Sequence, residues 1–147
     1  MSIDKAYNYR AINERVATSG RVEPEQLAEL GAAGFAAVIN LLPDSSQYAV
    51  AGEREIVEAQ GVDYLYLPVD FAAPTLGDYL QFRQFMQRVG QSRVLLHCAA
   101  NYRVSAFYSR YAVETGVWSR AEADEFMWSI WQPDEHEPWP RWLEEVS

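Results

Sequence analysis

The chain has 147 residues, of which 49% are hydrophobic and 14% aromatic, and its 12 Lys and Arg against 21 Asp and Glu leave a net charge of −9. This length suits one domain over residues 1–147 with a sizeable core, and the apolar content excludes a disordered tail. The acidic balance argues against nucleic-acid or anionic-membrane partners, so any phosphate pocket has to be a local exception to the global field.

The first predicted element is a helix over residues 24–33, with Pro24 at an early position, Leu27 and Leu30 on one face, and Gly31 and Gly34 near its end. Residues 36–41 read as a strand, 43–46 as a turn, 53–60 as a short helix closed by Gly61, and 64–69 as a second buried strand with Asp70 just beyond it. Leu76, Tyr79, Leu80, Met86 and Val89 recur at helical spacing up to Gly90, and residues 94–96 form a third strand leading into Cys98. Val104, Phe107, Tyr108 and Tyr111 mark one face of the next helix, and Phe126, Met127, Ile130 and Trp131 mark one face of another. Trp118, Trp128, Trp131, Trp139 and Trp142, with Pro133, Pro138 and Pro140, predict a terminal cap folded back on the domain. Within that cap, Asp134, Glu135 and Glu137 read as a solvated acidic loop and His136 as a surface histidine. Alternating helices and strands predict an α/β fold, a mostly parallel central sheet flanked by helices, with ligands bound beyond the C-terminal strand ends. Asp70 and Cys98 both fall at such ends.

The segment from Val94 to Ser105 joins the only cysteine, Cys98, to Arg103 across four residues, between a strand and a helix start. Backbone N–H groups of Ala99, Ala100, Asn101, Tyr102 and Arg103 and a helix dipole then converge on one point, where an anion would face the sulfur. The same field favours thiolate over thiol. Arg103 is always charged and can hold two phosphate oxygens at once. The alternative reading is a small buried cysteine and a surface arginine, which leaves the flanking His97 and the helix unexplained. His97 precedes the strand-end nucleophile and so points to the opposite side of the pleat, as an orienting core histidine.

His97-Cys98, a short loop and Arg103 resemble the signature of cysteine-dependent protein phosphatases, whose usual loop is one residue longer. The short form resembles the bacterial phosphatase-like family related to the beta-lactamase-hydrolase-like proteins. Val16-Ala17-Thr18-Ser19-Gly20, Pro24-Glu25-Gln26-Leu27, the segment from Gly34 to Leu41, and Tyr66-Leu67-Pro68-Val69-Asp70 resemble the same family in order and spacing. The resemblance implies a cysteine-phosphatase-like fold and phosphomonoester hydrolysis through a cysteinyl-phosphate on Cys98, with Arg103 and the amides of residues 99–103 on the phosphate. Asp70 matches the family's acid position; Asp78, in a helix first turn, and Asp44, in a turn, rank behind it, and a loop-cap role is the alternative for Asp70.

This chain departs from the family pattern at three positions. Asn101 stands where the family has Gly, and Asn is the side chain that best tolerates a left-handed backbone. Val104 replaces a hydroxyl residue that helps the thiolate leave, with Ser105 the one nearby substitute. Leu42 replaces a frequent Arg. The competing functions are a pseudophosphatase that binds phosphate or a phosphorylated partner without turnover, and a rhodanese-like sulfurtransferase, whose loop also uses a strand-end thiolate. The expected ligand is a phosphorylated small molecule or phosphoprotein. Neither metal nor cofactor is expected, since two histidines and one cysteine lack ligand spacing. A lone cysteine, with neither an N-terminal leader nor a long apolar run, leads to a cytoplasmic expectation.

Overall fold

The computed structural model describes residues 2–147. Its central strand, β5 (Val94–His97), is buried on both faces, as a strand with parallel neighbours on either side and helices above and below has to be. β2 (Val16–Ser19) pairs with it on one side and β3 (Ala37–Asn40) on the other, both in parallel. β4 (Asp63–Tyr66) extends the sheet in parallel beyond β3, and the short β1 (Arg10–Ala11) adds an antiparallel edge to β2, giving the order β1-β2-β5-β3-β4. Ser19, Asn40 and Tyr66 lie level with His97 in this register, so the four parallel strands finish together. The loops that follow them therefore leave the sheet at one edge.

Alternate residues of each strand serve separate cores. Ala17, Val38, Tyr64 and Leu95 pack with Leu27 of α1 (Pro24–Leu27) and Val57 of α2 (Glu53–Glu58). Val16, Ile39, Leu65, Leu96 and Cys98 pack with α3 (Leu76–Val89), α4 (Tyr102–Glu114), α5 (Arg120–Trp128) and α6 (Trp139–Glu145). Two helices of the larger layer are also joined by charge. The Tyr79 hydroxyl on α3 donates to Glu114 on α4 at 2.6 Å and, with Arg83, holds that carboxyl below its usual range.

The helix expected over residues 24–33 is one turn, followed by further turns. Gln60 accounts for the stop. Its Oε1 accepts the Gly31 N–H and its Nε2 donates to the Leu27 carbonyl, both at 2.7 Å, so a distant side chain takes groups that a longer helix would pair internally. The strand expected over residues 64–69 ends at Tyr66, although Leu67 and Val69 still donate to Asn40 and Leu41 across to the β3 end.

The C-terminal segment folds back over the sheet end, and each of three buried indoles donates its N–H to a loop or helix beside that end. Trp131 donates to Ser105 Oγ, Trp139 to the Phe71 carbonyl and Trp142 to the Thr75 carbonyl, at 2.8–3.0 Å. Trp142 also stacks on Phe107, with ring centroids 4.5 Å apart. Trp128 differs from these, being 54% exposed. Trp142→Ala should lower the unfolding free energy in urea by about 3–5 kcal/mol, the usual cost of truncating a buried aromatic; a loss below about 1 kcal/mol would mean that the cap does not stabilise the fold.

Candidate active site

Residues 98–103 connect β5 to α4 through a turn whose carbonyls are held from outside. The Ala99 carbonyl accepts the Arg21 N–H at 2.8 Å, and the Ala100 carbonyl accepts Asn8 Nδ2 at 3.0 Å. Gly20 makes the first of these approaches possible, since a Cβ there would sit 2.7 Å from the Ala99 oxygen and 2.9 Å from Ala100 Cα. Asn101 then takes the left-handed backbone (φ 69°) at the N-cap of α4. Its Nδ2 donates to Thr18 Oγ1 and to the Asn8 carbonyl, both at 2.9 Å, which fixes a conformation glycine would adopt without such help. Among the described residues, the amides of residues 99–103 meet no acceptor. Cys98 lies at the base of this turn, fully buried, with its own N–H on the Ser19 carbonyl.

Arg103, in the first turn of α4, reaches across to the loop after β4. Its Nη1 donates to the Val69 carbonyl at 2.9 Å and its guanidinium lies 5.5 Å from the Phe71 ring centre. Its Nε is buried without a hydrogen-bond partner. Asp70 sits between these two contacts, so the structure brings Cys98, Arg103 and the Asp70 loop to one edge of the sheet. The Asp70 side chain is exposed, and its Oδ1 accepts the Ala72 N–H at 2.9 Å. Asp78 is used as a helix cap, exchanging hydrogen bonds with Thr75 at the start of α3. Asp44 is exposed beyond β3, with its N–H on the Tyr66 hydroxyl.

Ser105 and His136 differ from expectation. The Ser105 hydroxyl has one proton, which goes to the Tyr102 carbonyl at 3.0 Å, and its oxygen accepts the Trp131 indole, so in this arrangement it has none to offer Cys98. It anchors Trp131, which stacks under Tyr102 at 4.7 Å. His136 joins the same cluster instead of standing in solvent, with its ring 5.6 Å from Phe71 and 5.9 Å from Tyr102. Val104 and Leu42 are buried and contribute no polar group.

His97 faces away from the turn, into the α2 layer, as its place on the pleat requires. There its Nε2 meets Glu53 Oε2 at 2.5 Å, and both side chains are almost fully buried. Asn40 links the pair to Tyr64, donating to Glu53 Oε1 at 3.4 Å and to the Tyr64 hydroxyl at 2.9 Å. Burial pushes the Tyr64 hydroxyl above its ordinary value, so it stays neutral. Sequence reasoning missed Glu53, because one carboxylate at a helix start looks like any dipole-favoured residue. Glu53, Tyr64, Tyr66 and Asp44 also line a cavity of about 460 Å³, which no residue of the 98–103 turn reaches. No group of three or more His, Cys, Asp or Glu among the described residues could hold a metal ion.

The family described as "Beta-lactamase hydrolase-like protein, phosphatase-like domain" matches residues 8–113. A beta-lactamase hydrolase-like protein of Agrobacterium fabrum is 29% identical over 118 residues, 78% of this chain and 27% of the relative. The chain thus spans about a quarter of the length of that relative. The crystal structure of a candidate phosphatase from Shewanella putrefaciens CN-32 is 34% identical, with a TM-score of 0.87 over 97% of this chain and 90% of that one. TpbA of P. aeruginosa, at 18% identity and a TM-score of 0.76 over 100% and 89% of the two chains, shares the fold.

The buried Glu53 and His97 should behave as one unit. Glu53→Ala and His97→Ala should each destabilise the protein, and the double variant should lose less than their sum by about 1 kcal/mol or more in urea unfolding. Additive losses would show that the 2.5 Å contact carries no coupling.

Proposed function

The chain belongs to the beta-lactamase hydrolase-like protein phosphatase-like domain family, and from that premise we propose that it hydrolyses phosphomonoesters through a phosphocysteine at Cys98. The observation that carries this reading is the pairing of five amides without acceptors with a guanidinium fixed to the Val69 carbonyl whose Nε has no partner. A phosphoryl group satisfies both, with its nonbridging oxygens on the amides and on the Nε edge of Arg103.

The chemistry then runs in two displacements. The Cys98 thiolate forms an S–P bond as the ester P–O bond breaks, and the leaving alkoxide takes a proton from Asp70. Water next forms a P–O bond as the S–P bond breaks, returning its proton to the Asp70 carboxylate and releasing the Cys98 thiolate. The same end of the sheet carries the Asp70 loop and the Arg103 contact on Val69, which supports assigning the donor to Asp70. The substrate in this reading is a phosphorylated small molecule or phosphoprotein. The short loop and the buried Val104 supply no hydroxyl to the departing sulfur, so breakdown of the phosphoenzyme is the slow step.

Activity on aryl and alkyl phosphates tests the reading. Cys98→Ser should abolish turnover of p-nitrophenyl phosphate, and Asp70→Asn should slow an alkyl phosphate by roughly 10²–10⁴-fold while slowing the activated aryl ester far less. Tight vanadate binding without turnover would reduce the protein to a phosphate binder. Sulfur transfer from thiosulfate to cyanide, with no phosphatase activity, would overturn the proposal in favour of a sulfurtransferase.

A further inference from the structure

Beside the 98–103 turn, on the side of β2, Arg21 carries a cation with no anionic partner among the described residues. Its backbone N–H holds the Ala99 carbonyl, while its guanidinium lies between two tyrosine rings, 4.1 Å from the Tyr7 centroid and 4.6 Å from that of Tyr48. Both rings are exposed, at 47% and 42%. Among the described residues the guanidinium makes neither an ion pair nor a hydrogen bond. Cation–π contact of this kind satisfies no N–H, so the guanidinium donors remain open to an acceptor.

The position of this cation is fixed relative to the turn. The Tyr7 ring is 3.0 Å from the point where a Gly20 Cβ would sit, and that same point is within 3 Å of the Ala99–Ala100 backbone. Asn8, next to Tyr7, exchanges hydrogen bonds with Ala100 and Asn101. Arg21 is thus tied to the turn through its own backbone N–H and through Tyr7 and Gly20, on the β2 side, whereas Val69 and Phe71 belong to the loop after β4. Arg21 and residues 47–51 line a cavity of about 340 Å³ whose walls include no residue of the turn itself, so Arg21 is the link between the two. Glu23 also lines it, but its carboxylate is engaged in the capping box that starts α1.

Building on the phosphate-site reading above, we propose that Arg21 is a specificity-determining residue that takes a second anionic group of the substrate. The substrate class is a phosphomonoester that also bears a carboxylate or a second phosphate. The phosphoryl group lies in the 98–103 turn and the other anionic group meets the rim of the Arg21 guanidinium at the 340 Å³ cavity. In a chain of net charge −9 the global field disfavours a more highly charged ligand, so a preference for one has to come from a local cation.

Titration calorimetry on the full chain tests this with non-hydrolysable probes: inorganic phosphate, methylphosphonate, phosphonoacetate and 3-phosphonopropionate. The better of the two carboxylated phosphonates should bind about five- to tenfold more tightly than methylphosphonate and compete with inorganic phosphate. Arg21→Met should reduce that ratio to within about twofold, and Arg21→Lys should retain part of it. Circular dichroism checks that both variants are folded, and Tyr48→Ala, which removes one of the two rings that hold the guanidinium, should lower the ratio as well. No preference in the unaltered chain, or a preference kept by Arg21→Met, overturns the inference while leaving the phosphate site standing. Failure of inorganic phosphate and of every phosphonate to bind removes the phosphate site itself, and this inference with it.

Discussion

The outward anchoring of two carbonyls governs the site. With the Ala99 carbonyl tied to the Arg21 N–H and the Ala100 carbonyl to Asn8, the peptide planes of the turn are fixed, and the N–H groups on the other side of those planes are left without acceptors. Asn101 completes the device by accepting a left-handed backbone, compensated by two hydrogen bonds from its amide. The approach to Ala99 also needs Gly20, because any Cβ at that position would collide with the Ala99 oxygen and Ala100 Cα. The N-terminal segment, the β2 end and the β5 end therefore form one unit, and Arg103 adds charge from the far side. A local concentration of positive field arises in this way within an acidic chain, where widely distributed basic residues could not supply it.

The opposite face of the sheet supports the turn from below. His97 directs its ring into the α2 layer and Glu53 meets it there, with Asn40 linking Glu53 to Tyr64. Burying ionisable groups in this way costs solvation, which the Glu53 contact offsets at Nε2 while Nδ1 of the same ring is buried without a hydrogen-bond partner. The cost falls on the residue next to Cys98, where it fixes the β5 end that begins the turn. On the other face, the C-terminal indoles pin the loops after β4 and the start of α4, so that Phe71, Tyr102 and Arg103 share one aromatic surround.

The fold class was legible in the sequence because alternating apolar runs and helical periodicities report burial directly: α3 and the core strands β3 and β5 fall where the pattern predicts. The length of α1 was not legible, since Gln60, some thirty residues away, ends it by capturing backbone groups. β2 was matched only as part of a resemblance; four buried residues that include Thr18 and Ser19 give no alternation to read. Within the site, Cys98, Arg103 and the turn stand out because they are contiguous. Glu53, Asn8 and Arg21 did not, because their relation to the turn exists only once the strands are side by side. His136 looked like part of an acidic loop for the same reason, and Ser105 looked available because sequence does not report that Trp131 takes it.

The proposed reaction depends on the amides of residues 99–103 forming an anion cradle that faces Cys98. The most direct measurement is a heteronuclear NMR titration of the full chain with tungstate, following each backbone amide. The largest amide shifts should fall at residues 99–103 and saturate together with the Arg103 Nε resonance. Shifts confined to the cavity lined by Glu53 and Tyr64, or a spectrum unchanged at millimolar tungstate, would contradict it.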